Sequence, residues 1–276
     1  FKLNDDWIID VIKGIRLADM PVVVHDREHG ISPKRMEKYP PYLEFIIDDL
    51  NVEKLCLSNK THYDFFIKCG FNKDKLALTG KPDTDAWFVN ETSSFKKDSL
   101  DRVNPELPLL TYFSFSRFNY LNFFYDGEKR DWLSLADDYH KIFIDVLKKF
   151  DGKFQIIYKL GGKPLRDTYP GFEFFMEQLK ELNLQESIIL LDGRVSTIDL
   201  LKVSDCIVGF HTLGIVEAMF TDKPIFYGAW GELFDDIKET LIPFHEMKGL
   251  NFCHNPQILK QSLIKFFSDK SFKIIF

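Results

Sequence analysis

The chain has 276 residues, 45% of them hydrophobic and 15% aromatic, enough to bury a sizeable core in one large domain or two of ordinary size. A formal charge of −6 argues against a general nucleic-acid binder, which would present a basic face. Cys56, Cys69, Cys206 and Cys253 form no Cys-x-x-Cys pair, and no apolar run approaches the roughly 20 residues that span a bilayer, so a disulfide framework, a zinc site and an integral membrane protein are all disfavoured.

The expectation is a cytoplasmic protein with reduced thiols and no signal peptide. The first residue is Phe, not Met, which suggests that the sequence begins inside a longer reading frame.

In chain order, residues 5–18 place Trp7, Ile8, Val11, Ile12 and Ile15 on one helical face. "VVVHD" (22–26) reads as a short strand ending in polar residues, and "YLEFIIDDL" (42–50) as a helix after a Pro-Pro break. "EKLCLSN" (53–59) is a strand, and "KTHYDFFIKCG" (60–70) is a helix that stops at Gly70 with Lys68 in its last turn. "DKLALTGKP" (74–82) is a third strand. Residues 89–108 are polar and carry two prolines, the composition of a linker between an N-terminal domain over about 1–100 and a C-terminal domain over 101–276.

A regular alternation follows. "LPLLTYFSFSR", "KFQIIYKLGGK", "SIILLDGR", "DCIVGFHT" and "KPIFYGAW" read as five strands. The segments between them read as helices, strongest over 131–150, with others over 213–220, 232–241 and 256–268. Ser196 and Asp199 have the spacing of a capping box. Strands alternating with helices predict an α/β fold with a doubly wound parallel sheet. The N-terminal half supplies only about three strands, so it is expected to be an incomplete domain.

In such sheets ligands bind beyond the carboxyl ends of the strands. The residues there are "SFSR" (114–117), "KLGGK" (159–163), "DGRVST" (192–197), "FHTLG" (210–214) and "YGAWGE" (227–232). Ser116 and Arg117 suit a phosphate. Lys159 and Lys163 either neutralise one or flank a solvated turn. His211, Thr212 and Gly214 open a helix whose N–H groups could receive a phosphate, and Glu217 one turn on could hold a ribose diol. The alternative is a tight turn with Thr212 as an ordinary N-cap.

"HDREHGISPKR" (25–35) gathers His25, Asp26, Glu28, His29 and Arg35 directly after a strand. Dense ionisable groups at such an edge suit general base chemistry, with Asp26 or Glu28 favoured and His25 available. His29 and Arg35 fall on the acceptor side of that reading. A solvated loop of paired charges is the alternative, and a metal site from one loop is disfavoured. Asp83-Thr84-Asp85 reads as a turn, and His140 as a structural residue in mid-helix.

"LDGRVSTIDLLKVSDCIVGFHTLGIVEAMFTDKPIFYG" (191–228) resembles the C-terminal half of GT-B glycosyltransferases, above all those of bacterial capsule and surface-polysaccharide synthesis. CDP-glycerol glycerophosphotransferases and UDP-GlcNAc 2-epimerases are more distantly similar. "KLALTGKPDTDAW" (75–87) resembles the segment that closes the N-terminal half of the same proteins. The resemblance implies two Rossmann-like domains. It also implies that the Gly193–Arg194 loop contacts the nucleotide base, the 210–214 loop the donor phosphate, and Glu217 the ribose. His211 and Leu213 replace the Gly or Ser of many relatives.

The implied activity is metal-independent sugar transfer from a nucleotide-sugar donor, itself a substrate and not a cofactor. The acceptor would be a carbohydrate or lipid-linked glycan, and the lipid would bring the protein to the inner face of the membrane. Alternatives are a teichoic-type CDP-polyol phosphotransferase, a 2-epimerase-like enzyme and a non-catalytic nucleotide-sugar-binding scaffold.

Overall fold

The computed structural model describes residues 6–25, 52–87, 96, 100, 102–115, 132–160, 171–191 and 195–269. The chain divides into two compact units, Phe1–Val89 and Asn90–Phe276.

The first unit carries helix α1 (Asp6–Leu17), strand β1 (Val23–His25), strand β2 (Lys54–Leu57), helix α2 (Lys60–Lys68) and strand β3 (Leu76–Leu78). The strands pair in parallel in the order β1-β2-β3. Leu55, Leu57, Phe65, Phe66 and Leu76 share a core with Ile12 of α1. Val11, expected on the same face of α1, is 50% exposed. It lies 100° round the helix from Ile12, off the edge of the buried stripe. The Asn59 side chain accepts from the His62 N–H at 2.9 Å and starts α2. Glu53 accepts from the Val22 N–H and pairs with Arg16. The Val22 hydrogen bond, with Arg16 adding to it, holds the Glu53 carboxyl below the usual carboxylate range.

The second unit holds a six-stranded parallel sheet. Its strands are β4 (Leu109–Phe113), β5 (Gln155–Lys159), β6 (Ile188–Leu191), β7 (Cys206–Gly209), β8 (Ile225–Gly228) and β9 (Asn251–Cys253). Among the described residues, five helices link them: α3 (Leu133–Lys149), α4 (Phe172–Glu181), α5 (Thr197–Val203), α6 (Leu213–Ala218) and α7 (Glu232–Ile237), and α8 (Pro256–Ser268) follows β9. The spatial order is β6-β5-β4-β7-β8-β9. The first three strands therefore build outward in one direction. The chain then returns beside β4 and builds the other way, which is the doubly wound order with its switch point between β4 and β7.

Every residue of β4, β5, β7 and β8 is buried, as a sheet covered on both faces requires. Helix α3 presents Leu135, Tyr139, Ile142, Phe143, Val146 and Leu147 to one face at helical spacing. On the other side a smaller core joins Leu109, Ile157 and Ile189 to Leu200 and Val203 of α5. In the pairs Phe65-Phe66 and Phe174-Phe175, Phe65, Phe66 and Phe175 are buried, whereas Phe174 is 63% exposed.

Asp205 fixes the amino edge of the sheet. Its carboxylate accepts from the Leu109 N–H at 2.7 Å, and its own N–H donates to the Leu109 carbonyl at 2.8 Å. Asp205 thus joins β4 to β7 at the end away from the carboxyl edge of the sheet.

Candidate functional site

All six strands run parallel, so their carboxyl ends share one edge. Phe113 stands beside both Lys159 and Gly209, and Gly209 beside Tyr227. Ser114, Lys159, Val195, His211, Thr212 and Trp230 therefore come from different loops to a common rim.

The loop after β7 explains its own composition. A Cβ on Gly214 would lie 2.8 Å from the Phe113 ring. A Cβ on Gly209 would lie 3.1 Å from the Ile215 side chain. Glycine at both positions lets α6 settle directly against the ends of β4 and β7. Thr212 is the N-cap of α6, and its hydroxyl accepts from the Gly214 N–H at 3.3 Å. The N-cap alternative for Thr212 is therefore realised, and Gly214 is explained by packing.

The helix is also shorter than the predicted 213–220, closing at Ala218 with Met219 as its C-cap. The Thr221 hydroxyl donates to the Ala218 carbonyl at 2.7 Å and turns the chain toward β8. Glu217 lies on α6, half-buried. His211 is half-buried, with its ring 5.2 Å from that of Phe244.

Lys159 closes β5 and is 8% exposed, which removes the solvated-turn reading for this residue. Its ammonium donates to the Val195 carbonyl at 3.3 Å, tying the loop after β6 to the end of β5. The Lys159 carbonyl accepts from the Ser114 hydroxyl at 2.7 Å. Ser196 stands at the N-cap of α5, but its side chain makes no capping bond, so the predicted capping box does not form.

In the N-terminal unit, His25 ends β1. Its Nε2 donates to the Gly80 carbonyl at 3.0 Å. That bond places the hydrogen on Nε2 of the neutral ring and leaves Nδ1 as the basic nitrogen. It also connects the end of β1 to the "TGKP" segment after β3. Residues 82–87, including Asp83 and Asp85, form a 3₁₀ turn.

Asp26, Glu28, His29, Arg35, Ser116, Arg117, Lys163, Gly193 and Arg194 lie outside the described residues. Among the described residues, no group of three or more His, Cys, Asp and Glu side chains is arranged to hold a metal ion. His140 is buried and bonded through Nε2 to the Tyr158 hydroxyl at 3.0 Å. Burial pushes its pKa down to about 4, as expected of a structural, neutral histidine.

One feature of the rim escaped the sequence reading. Tyr139, on α3, brings its hydroxyl within 2.8 Å of the Gly228 carbonyl and 3.2 Å of the Gly209 carbonyl. A Cβ on Gly228 would collide with that hydroxyl. Trp230 stacks on Tyr139 at 5.3 Å and 24°, and its Nε1 donates to the Asp138 carboxylate at 3.0 Å. The Asp138-Tyr139 pair was visible only as part of a periodic helix.

No protein-family model and no curated protein matches the chain by sequence. Solved structures match it by fold. The wall teichoic acid polymerase TagF superposes with a TM-score of 0.59 at 11% identity, over 91% of this chain and 60% of that one. The UDP-GlcNAc 2-epimerase of Methanocaldococcus jannaschii gives 0.54 at 13% identity, over 96% of this chain and 68% of that one. Anabaena HepE in complex with UDP and glucose gives 0.49 at 16% identity, over 96% of this chain and 67% of that one, too low a score to carry an argument. At these identities the likeness defines the fold alone. The fold is α/β of the GT-B type, with Rossmann-like parallel sheets.

Proposed function

We propose that the protein is a glycosyltransferase that takes a sugar from a nucleotide-sugar donor and passes it to a carbohydrate or lipid-linked acceptor in bacterial surface-polysaccharide synthesis. The observation that carries the reading is the β6-β5-β4-β7-β8-β9 order, whose switch point lies at the loop bearing His211 and Thr212, with Glu217 on the helix that follows. The quoted resemblance of 191–228 to GT-B enzymes supports it from the sequence side.

In this reading the nucleotide lies along the carboxyl edge. The loop after β6, held by Lys159, meets the base. Glu217 accepts from the ribose, and the phosphates lie over the ends of β4 and β7. Arg117 and the backbone N–H groups of the 210–214 loop stabilise the charge that develops on the nucleotide as its bond to the sugar breaks. In such a transfer the acceptor hydroxyl loses its proton to a general base as it attacks the anomeric carbon, and the candidates for that base are Asp26, Glu28 and His25 through Nδ1. His29 and Arg35 are assigned to acceptor recognition. No cofactor is invoked, and contact with the inner membrane face comes through the acceptor lipid.

His25 also supports the second reading, a CDP-polyol phosphotransferase, which calls for a catalytic histidine. Nucleotide preference separates the two. The thermal midpoint is measured against CMP, CDP, UDP, GDP and TDP. One nucleotide at a hundred times its Kd stabilises by about 2.7 kcal/mol. In a domain of this size that raises the midpoint by roughly 5–10 °C. Glu217→Ala should abolish the shift. Preference for CDP favours polyol phosphate transfer, and preference for UDP, GDP or TDP favours sugar transfer. No shift with any nucleotide contradicts both readings.

A further inference from the structure

We propose that Trp230 and Asp138 form the subsite for the glycosyl group of the nucleotide sugar, a reading that rests on the function proposed above. A hexose presents two chemistries: a face of C–H groups, and a rim of hydroxyls that donate hydrogen bonds. Its subsite calls for a planar aromatic ring and an acceptor beside it.

The rim of this sheet holds both. Trp230 lies two residues past the end of β8, the neighbour of β7, and is half-buried. Adjacent strands lie about 4.8 Å apart. The ring therefore stands one strand from the 210–212 loop, where the reading puts the phosphates.

The ring is fixed on three sides. One face stacks on Tyr139, whose hydroxyl is anchored at the Gly209 and Gly228 carbonyls, the ends of the two strands concerned. Its Nε1–H is committed to Asp138. Its benzo edge turns back over Gly228, where a Cβ would come within 2.9 Å of Cζ3. A ring held this way loses little entropy when a ligand stacks on it.

The Asp138 side chain is 32% exposed, with Lys141 3.7 Å away. One of its oxygens takes the indole hydrogen, and the carboxylate keeps further acceptor capacity for a sugar hydroxyl.

The test compares UDP with UDP-GlcNAc by calorimetry on wild type, Trp230→Leu, Trp230→Phe and Asp138→Ala. In Trp230→Leu and Asp138→Ala, the ratio of the UDP-GlcNAc Kd to the UDP Kd should rise about tenfold while the UDP Kd stays within about twofold. Trp230→Phe, which keeps a stacking ring and guards against a variant that fails to fold, should recover most of the ratio. In wild type, UDP-GlcNAc should change tryptophan emission beyond the change given by UDP, and Trp230→Phe should remove that excess. An unchanged ratio, or equal weakening of both ligands, overturns the subsite while leaving the nucleotide site standing. Where the thermal midpoint responds to GDP or TDP instead of UDP, the same ratio is read with that nucleotide and its sugar conjugate; failure of wild type to bind any nucleotide of the panel removes the parent reading, and the subsite with it.

Discussion

At the residue scale, Gly214 shows that a position chosen for its chemistry also has a mechanical reason. The sequence "GFHTLG" suits a phosphate loop, and nothing in it announces Phe113, a hundred residues earlier in the chain. The packing of that ring against the start of α6 is a long-range contact. Periodicity and motif spacing carry no record of such contacts. Gly214→Ala should cost about 1–3 kcal/mol through overpacking, more than the helix-propensity gain of alanine returns. Urea denaturation checks this through a lower midpoint at unchanged slope. A variant as stable as wild type would show that the Phe113 ring yields freely. Thr212, Lys159 and His25 were legible as residues at strand ends, but their partners were not. Each partner is a backbone atom, and backbone atoms have no sequence signature.

At the element scale, legibility followed length and burial. The long periodic helix α3 and the buried strands β4, β5, β7 and β8 were all readable. Strand β9 was not, because three residues, "NFC", give no period and their pairing to β8 is set by the sheet already formed. Helix α6 was overextended because Met219 and Phe220 continue an apolar pattern that the Thr221 turn interrupts. Asp205 lies within the segment that resembles GT-B enzymes, and its physical role is to join two strands. Asp205→Ala leaves the Leu109 N–H without its side-chain acceptor. The expected loss is about 1–3 kcal/mol of unfolding free energy, measured by chemical denaturation. Nucleotide affinity should be unchanged, because the residue serves the amino edge of the sheet. A loss of affinity without loss of stability would contradict this division of the sheet.

At the scale of the whole molecule, the two compact units differ in how completely they explain themselves. The C-terminal unit is a six-stranded doubly wound sheet whose order alone nominates a ligand edge. The N-terminal unit contributes a three-stranded parallel sheet with His25 held at its carboxyl end. No helix among the described residues is long and apolar enough to cross a membrane.

The central claim is that a nucleotide binds along the carboxyl edge of the C-terminal sheet. Hydrogen exchange of backbone amides, with and without the nucleotide that raises the thermal midpoint, tests it most directly. Protection should concentrate at Ser114, Leu160 and residues 210–217, and spare the amino edge at Leu109 and Asp205. Protection confined to the amino edge or to the N-terminal unit would contradict the account.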